Sequence, residues 1–162
     1  MRSALGAGIV ALALIPTLAG CSLLNLNLKP VQRDDAGAIT EQAQAGVAEI
    51  AVGDCMDSTS DEVVFDVPVV PCDQAHDEEI FGEFDLAGSE FPEASALETE
   101  SNDRCIALFN EFVGFDYFES ELDFYTLTPT EEGWNQFNDR TVNCVIVDPA
   151  GKVTGSLKGA AR

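Results

Sequence analysis

Ser101–Gly114 reads SNDRCIALFNEFVG, and its periodicity decides the fold. Cys105, Leu108, Phe109, Phe112 and Val113 recur at helical spacing, so their side chains share one face. Ser101–Asp103 supply side-chain oxygens suited to capping free N–H groups, and Gly114 is a natural stop. The spacing predicts a helix over Asn102–Val113 whose apolar stripe must lie against a sheet.

On both sides of this helix the pattern changes to that of strands. Upstream, Val63–Val70 (VVFDVPVV) is β-branched, and Pro68 suggests an edge position because proline donates no ladder bond. Glu79–Leu86 sets Ile80, Phe84 and Leu86 on one face at a period of two. These two runs are predicted to be hairpin neighbours joined by Cys72–Glu78. Downstream, Glu121–Leu127 reads as a strand. Thr128-Pro129-Thr130-Glu131 has a capping-box pattern that opens a helical turn carrying Trp134. Arg140–Val147 (RTVNCVIV) alternates Val142, Cys144 and Ile146 against Val145 and Val147. Asp148–Gly151 is a turn, with Lys152–Leu157 expected to return as the hairpin partner. The β-β-α-β-β order predicts an α+β domain: a small antiparallel sheet of hairpins with one main helix packed on it.

The chain has five cysteines, and Cys21 is set apart from the rest by its position. Cys55, Cys72, Cys105 and Cys144 permit three pairings. Cys55–Cys72 and Cys105–Cys144 are favoured, because each ties together segments that the fold reading places side by side. Zinc fingers and ribbons use closely spaced cysteine pairs, and no Cys-x-x-Cys occurs. Disulfides are therefore the stronger reading, and no metal or cofactor is expected.

Residues 1–20 have the layout of an export signal: positive Arg2, an uncharged apolar run from Ala4 to Gly20 interrupted by Pro16, and small residues before Cys21. A membrane span wants about 20 predominantly apolar residues, and this stretch is short and rich in Ala and Gly. Leu18-Ala19-Gly20-Cys21 resembles the lipobox of bacterial lipoproteins. That implies cleavage before Cys21, diacylglyceryl and palmitate-type acyl chains on it, and a protein held on the outer face of the cell membrane. Residues 21–48 are expected to be a flexible tether, with a short helix around Ile39–Ala45. Residues 49–162 then form one extracytoplasmic domain with a modest core.

The formal charge is −21 and the pI near 4.1. This argues against nucleic acid, whose phosphates demand basic surface, and against docking on anionic lipid headgroups. Solubility and self-repulsion account for such a charge; a cationic or divalent-metal partner is the sharper alternative.

Catalytic constellations are sparse. His76 is the only histidine, and no Gly-x-Ser-x-Gly elbow accompanies it. Asp73–Glu79 lacks the second histidine of a His-Glu-x-x-His metal site, so His76 is expected to orient its loop beside the first disulfide. Asp54, Asp57 and Asp61 lack the glycine and glutamate of an EF-hand. Trp134 and Arg140, with His76, are the candidate interaction residues. A core role for Trp134, with Arg140 stacked on it, is the stronger reading in so small a domain. The ten phenylalanines are expected to be mostly core. A carboxylate-based cell-wall hydrolase would need two acids roughly 5–10 Å apart in a cleft.

Val52-Gly53-Asp54-Cys55 and Val69-Val70-Pro71-Cys72-Asp73, with His76 and Glu79, resemble the first half of the septum-formation domain of actinobacterial envelope lipoproteins. Cys105, Phe112-Val113-Gly114, Leu127-Thr128-Pro129-Thr130, Trp134, Arg140 and Cys144 resemble its second half. The likeness runs from about Ile50 to Leu157. It departs at Asn138, where glycine is expected before Asp139-Arg140; asparagine tolerates the same left-handed turn. The resemblance implies a membrane-attached, noncatalytic interaction module with an envelope or division protein as partner. A hydrolase and a divalent-cation-binding protein are the alternatives.

Overall fold

The computed structural model describes residues 30–59 and 65–162. The expected export signal, Cys21, the first part of the tether and Val63–Val64 lie outside them. Among the described residues, eight strands and one long helix follow in the order β1 (Ala43–Gly46), β2 (Cys55–Met56), β3 (Asp66–Val70), β4 (Ala75–His76), β5 (Glu78–Asp85), α1 (Ala94–Val113), β6 (Asp123–Leu127), β7 (Thr141–Val147) and β8 (Val153–Thr154). Six strands form an antiparallel sheet in the order β1-β3-β2-β5-β7-β6, and β4 pairs with β8 separately. The α+β class and both disulfides match the sequence reading. Cys105–Cys144 ties α1 to the interior strand β7, and Cys55–Cys72 ties β2 to the loop after β3.

β7 is buried on both sides, because its alternation feeds two cores. Val142, Cys144 and Ile146 face α1 together with Phe81, Leu86, Phe109 and Trp134. Val145 faces the other way, with Ile80, Met56, Val69, Ile39 and Ile50. The parity of β5 changes between these two layers. Ile80 pairs with Val145 and Gly82 with Cys144, so Phe81 forms a bulge. The extra residue puts Ile80 on the face opposite Phe84 and Leu86, correcting the single face expected for all three.

The helix begins eight residues before the predicted Asn102 start, after Glu93. Leu97, Ser101, Cys105, Phe109 and Val113 form its buried stripe. Ser101 is a polar residue within that stripe, and it conceals the continuation from a reading based on apolar spacing. Ser101–Asp103 are therefore mid-helix residues and do not cap it. Gly114 does end it, in the left-handed conformation with its N–H on the Asn110 carbonyl.

Three pairings differ from expectation. β2 lies between β3 and β5, so the two runs read as hairpin neighbours are not adjacent. Pro68 consequently sits in an interior strand, opposite Gln44 of β1. In an antiparallel ladder a residue's N–H and C=O face the same neighbour. The Pro68 carbonyl accepts from the Asp57 N–H, and the reciprocal bond that an N–H at Pro68 would give to Asp57 is missing where β2 ends. Lys152–Leu157 does not pair with β7; its Val153–Thr154 crosses to β4.

The expected tether is also partly structured. Residues 43–46 form edge strand β1, where a short helix was expected, and Ile39 and Ala45 are buried. Small residues alternating with polar ones, as in Ala43-Gln44-Ala45, fit a strand edge without a strong apolar signal. Arg33 clamps this segment by a paired hydrogen bond to Asp54, at 2.6 and 2.7 Å. Among the described residues no helix is long and apolar enough to cross a membrane.

Candidate functional site

Sheet register brings the first polar cluster together. Cys55 in β2 stands opposite Glu79 in β5, and the β4 turn directs His76 inward beside them. One ligating atom each from Cys55, His76 and Glu79 lies within 4.8 Å of the others. His76 and Cys55 are fully buried and Glu79 is 1% exposed. The expected loop-orienting role of His76 has a geometric basis: Nδ1 lies 2.8 Å from the Gln74 carbonyl. A carbonyl only accepts, so Nδ1 carries a proton, and in the neutral ring Nε2 presents its lone pair. Nε2 has no hydrogen-bond partner.

Glu79 is held by a segment distant in sequence. Its carboxylate accepts from the Ser156 hydroxyl at 2.5 Å and from the Leu157 N–H at 2.7 Å. Burial pushes its carboxyl above the usual range, against the opposing pull of these two bonds. Ser156 was missed in the sequence, because a partner that far away along the chain leaves no spacing signal.

The other buried acids also have donors. Asp54 binds Arg33, while Glu78 accepts from Ser58 Oγ and from the Tyr125 hydroxyl, each at 2.8 Å. Burial and the adjacent Glu78 raise the Tyr125 phenol well above its ordinary value. Glu100 and Asp103 line a shallow, solvent-open depression on the outer side of α1, where Glu100 pairs with Arg104.

Trp134 and Arg140 do meet, and the packing role accounts for both. The Arg140 guanidinium lies 3.5 Å above the indole centroid and donates to the Trp134 carbonyl. Phe91 meets the ring edge-on, and the indole N–H donates to the Ser89 carbonyl. Trp134 is only 2% exposed. Thr130 caps the turn that carries it, accepting from the Gly133 N–H, and Asn138 closes that turn at φ 56°. Asparagine therefore takes the left-handed position where glycine was expected. The most accessible aromatics are Phe65, Phe118 and Phe137, each at least 75% exposed; the other phenylalanines pack in the α1-facing core. Aromatic character alone cannot separate these two groups.

Residues 19–144 match the family model described as septum formation. This span extends further toward the amino terminus than the likeness read from the motifs. No curated protein and no solved structure matches the chain.

Proposed function

The chain belongs to the septum-formation family, and we propose that its domain is a noncatalytic interaction module held at the outer face of the cell membrane through a lipid on Cys21. Its role is to engage an envelope or division protein while the septum is built.

The family match over residues 19–144 carries this reading. The placement of the reactive side chains supports it. His76 is the chain's only histidine and is fully enclosed, and its neighbouring cysteines are joined in a disulfide. Any Ser-His or Cys-His mechanism would have to work from inside the domain. Asp54, Glu78 and Glu79 are likewise occupied by intramolecular donors. What the domain offers to the outside is an acidic surface bearing isolated aromatic side chains such as Phe118 and Phe137, and aromatic residues are favoured in interface hot spots.

Crosslinking in intact growing cells tests the proposal, with a Cys21→Ala chain as control and mass spectrometry to identify captured proteins. Capture of division or wall-synthesis proteins by the anchored chain alone is the expected result. Equal capture by both chains would remove the anchor from the proposal, and capture of no protein above background would overturn the interaction reading.

A further inference from the structure

We propose that Cys55, Cys72, His76 and Glu79 form a redox-gated zinc site, closed while the disulfide is intact and able to bind the ion once it is reduced. Three independent features of the structure converge on it. The first is proximity: ligating atoms of Cys55, His76 and Glu79 lie within 4.8 Å of one another, and all three residues are buried. Cys72 Sγ, bonded to Cys55 Sγ, is not among these atoms and would supply the fourth donor once the bridge is opened.

The second is the state of His76. Nδ1–H is committed to the Gln74 carbonyl, while Nε2 is buried with no partner. A metal-bound imidazole is arranged in this way: one nitrogen donates to an outer acceptor, which fixes the ring and tautomer, and the other offers its lone pair. In the oxidised chain that lone pair has nothing to bind, an unfavourable arrangement that a cation would relieve.

The third is Glu79, whose carboxylate is oriented by Ser156 Oγ and the Leu157 N–H. Such outer contacts hold a ligating carboxylate in position. A set of two thiolates, one imidazole and one carboxylate is borderline-soft and suits tetrahedral Zn²⁺ better than Ca²⁺ or Mg²⁺, which take oxygen ligands.

Accessibility sets the order of events. Cys72 is partly exposed, whereas Cys105 and Cys144 are fully buried, so a thiol reaches the Cys55–Cys72 bridge first. A thiolate attacks Cys72 Sγ, the S–S bond breaks, and Cys55 leaves as a thiolate. A second thiol resolves the mixed disulfide. The donor thiols are oxidised to their own disulfide, and both cysteines are left reduced. Zinc binding then releases the protons of the two thiols.

The test uses the full chain with Cys21→Ala, so that the lipidation cysteine supplies no sulfur. It is reduced with a phosphine without oxygen, freed of chelator, and titrated with Co²⁺ and then Zn²⁺. The expected result is about one equivalent of Co²⁺ bound with cobalt–thiolate charge-transfer absorption, displaced by Zn²⁺, and no such spectrum from the oxidised chain. His76→Gln should weaken binding by at least about tenfold, and the Cys105→Ser/Cys144→Ser chain should keep it. X-ray absorption of the zinc-loaded chain should show mixed sulfur and nitrogen/oxygen coordination, which tests the ligand set even where His76→Gln fails to fold. Absence of binding after reduction, an all-sulfur shell, unchanged affinity in a folded His76→Gln chain, or a reduced chain that unfolds and is not restored by Zn²⁺ would each overturn the proposal.

Discussion

Leu108 of α1 occupies the space that a side chain at Gly82 would need. A Cβ placed on Gly82 would lie 2.8 Å from Leu108 Cδ1 and 3.2 Å from Leu108 Cβ. The helix approaches β5 this closely because Gly82 has no side chain, immediately after the bulge that turns Phe81 toward α1. Gly82→Ala should cost roughly 1–3 kcal/mol, the usual penalty of overpacking. Urea denaturation would measure it. In a Leu108→Ala background the penalty should shrink, since residues in contact are not additive.

Trp134 is the only tryptophan, so its fluorescence reports directly on the stack with Arg140. Arg140→Ala removes both the guanidinium over the ring and the bond to the Trp134 carbonyl. A loss of about 1–3 kcal/mol is expected, with altered Trp134 emission in the folded state. Arg140→Lys should restore little of it, because an ammonium lacks the planar face. Full rescue by lysine would show that charge, and not stacking, holds the turn.

The two disulfides should contribute unequally. Their sequence separations are 17 and 39 residues. Chain-entropy reasoning gives about 3 kcal/mol for Cys55–Cys72 and about 4 kcal/mol for Cys105–Cys144. Replacing each pair by alanine and comparing the unfolding free energies measures both. Identical melting with and without reductant would show that neither bridge braces the fold.

Asp54 is 2% exposed and depends on Arg33 for charge compensation. Arg33→Ala leaves a buried carboxylate unpaired and should destabilise the domain by about 3 kcal/mol. It should also free the segment before β1. Amide hydrogen exchange near Ile39 and Ala45 would then rise, whereas an unchanged exchange pattern would mean that apolar burial alone holds the segment.

Glu79 gives a pH dependence of known sign. Its folded-state carboxyl has a raised affinity for the proton, so between the unfolded value and the folded one the native state binds more protons. Stability from this group therefore falls as pH rises above about 4.5 and levels off once the folded carboxyl has ionised. Glu79→Gln should abolish that fall. Melting temperatures of the two chains, compared over the acidic range, should diverge with the wild type declining; parallel curves would exclude Glu79 as the source.

The helix core at Cys105–Val113, its glycine stop, the alternation of Val142–Val147, the α+β class and the choice of cysteine pairs were legible in the order of residues alone. These depend on local periodicity, which each segment carries whether or not its neighbours are known. The early start of α1 was hidden because Ser101 interrupts the apolar stripe. Strand order was not legible either: β2 is two residues long, too short for any period, yet it separates β3 from β5. Long-range packing sets Pro68 in an interior strand, brings β4 to β8, and closes Ser156 and Leu157 over Glu79. The same packing creates the environment of His76, whose identity is a single letter in the chain. Its enclosure and its unpartnered Nε2 arise from contacts among segments that only folding brings together.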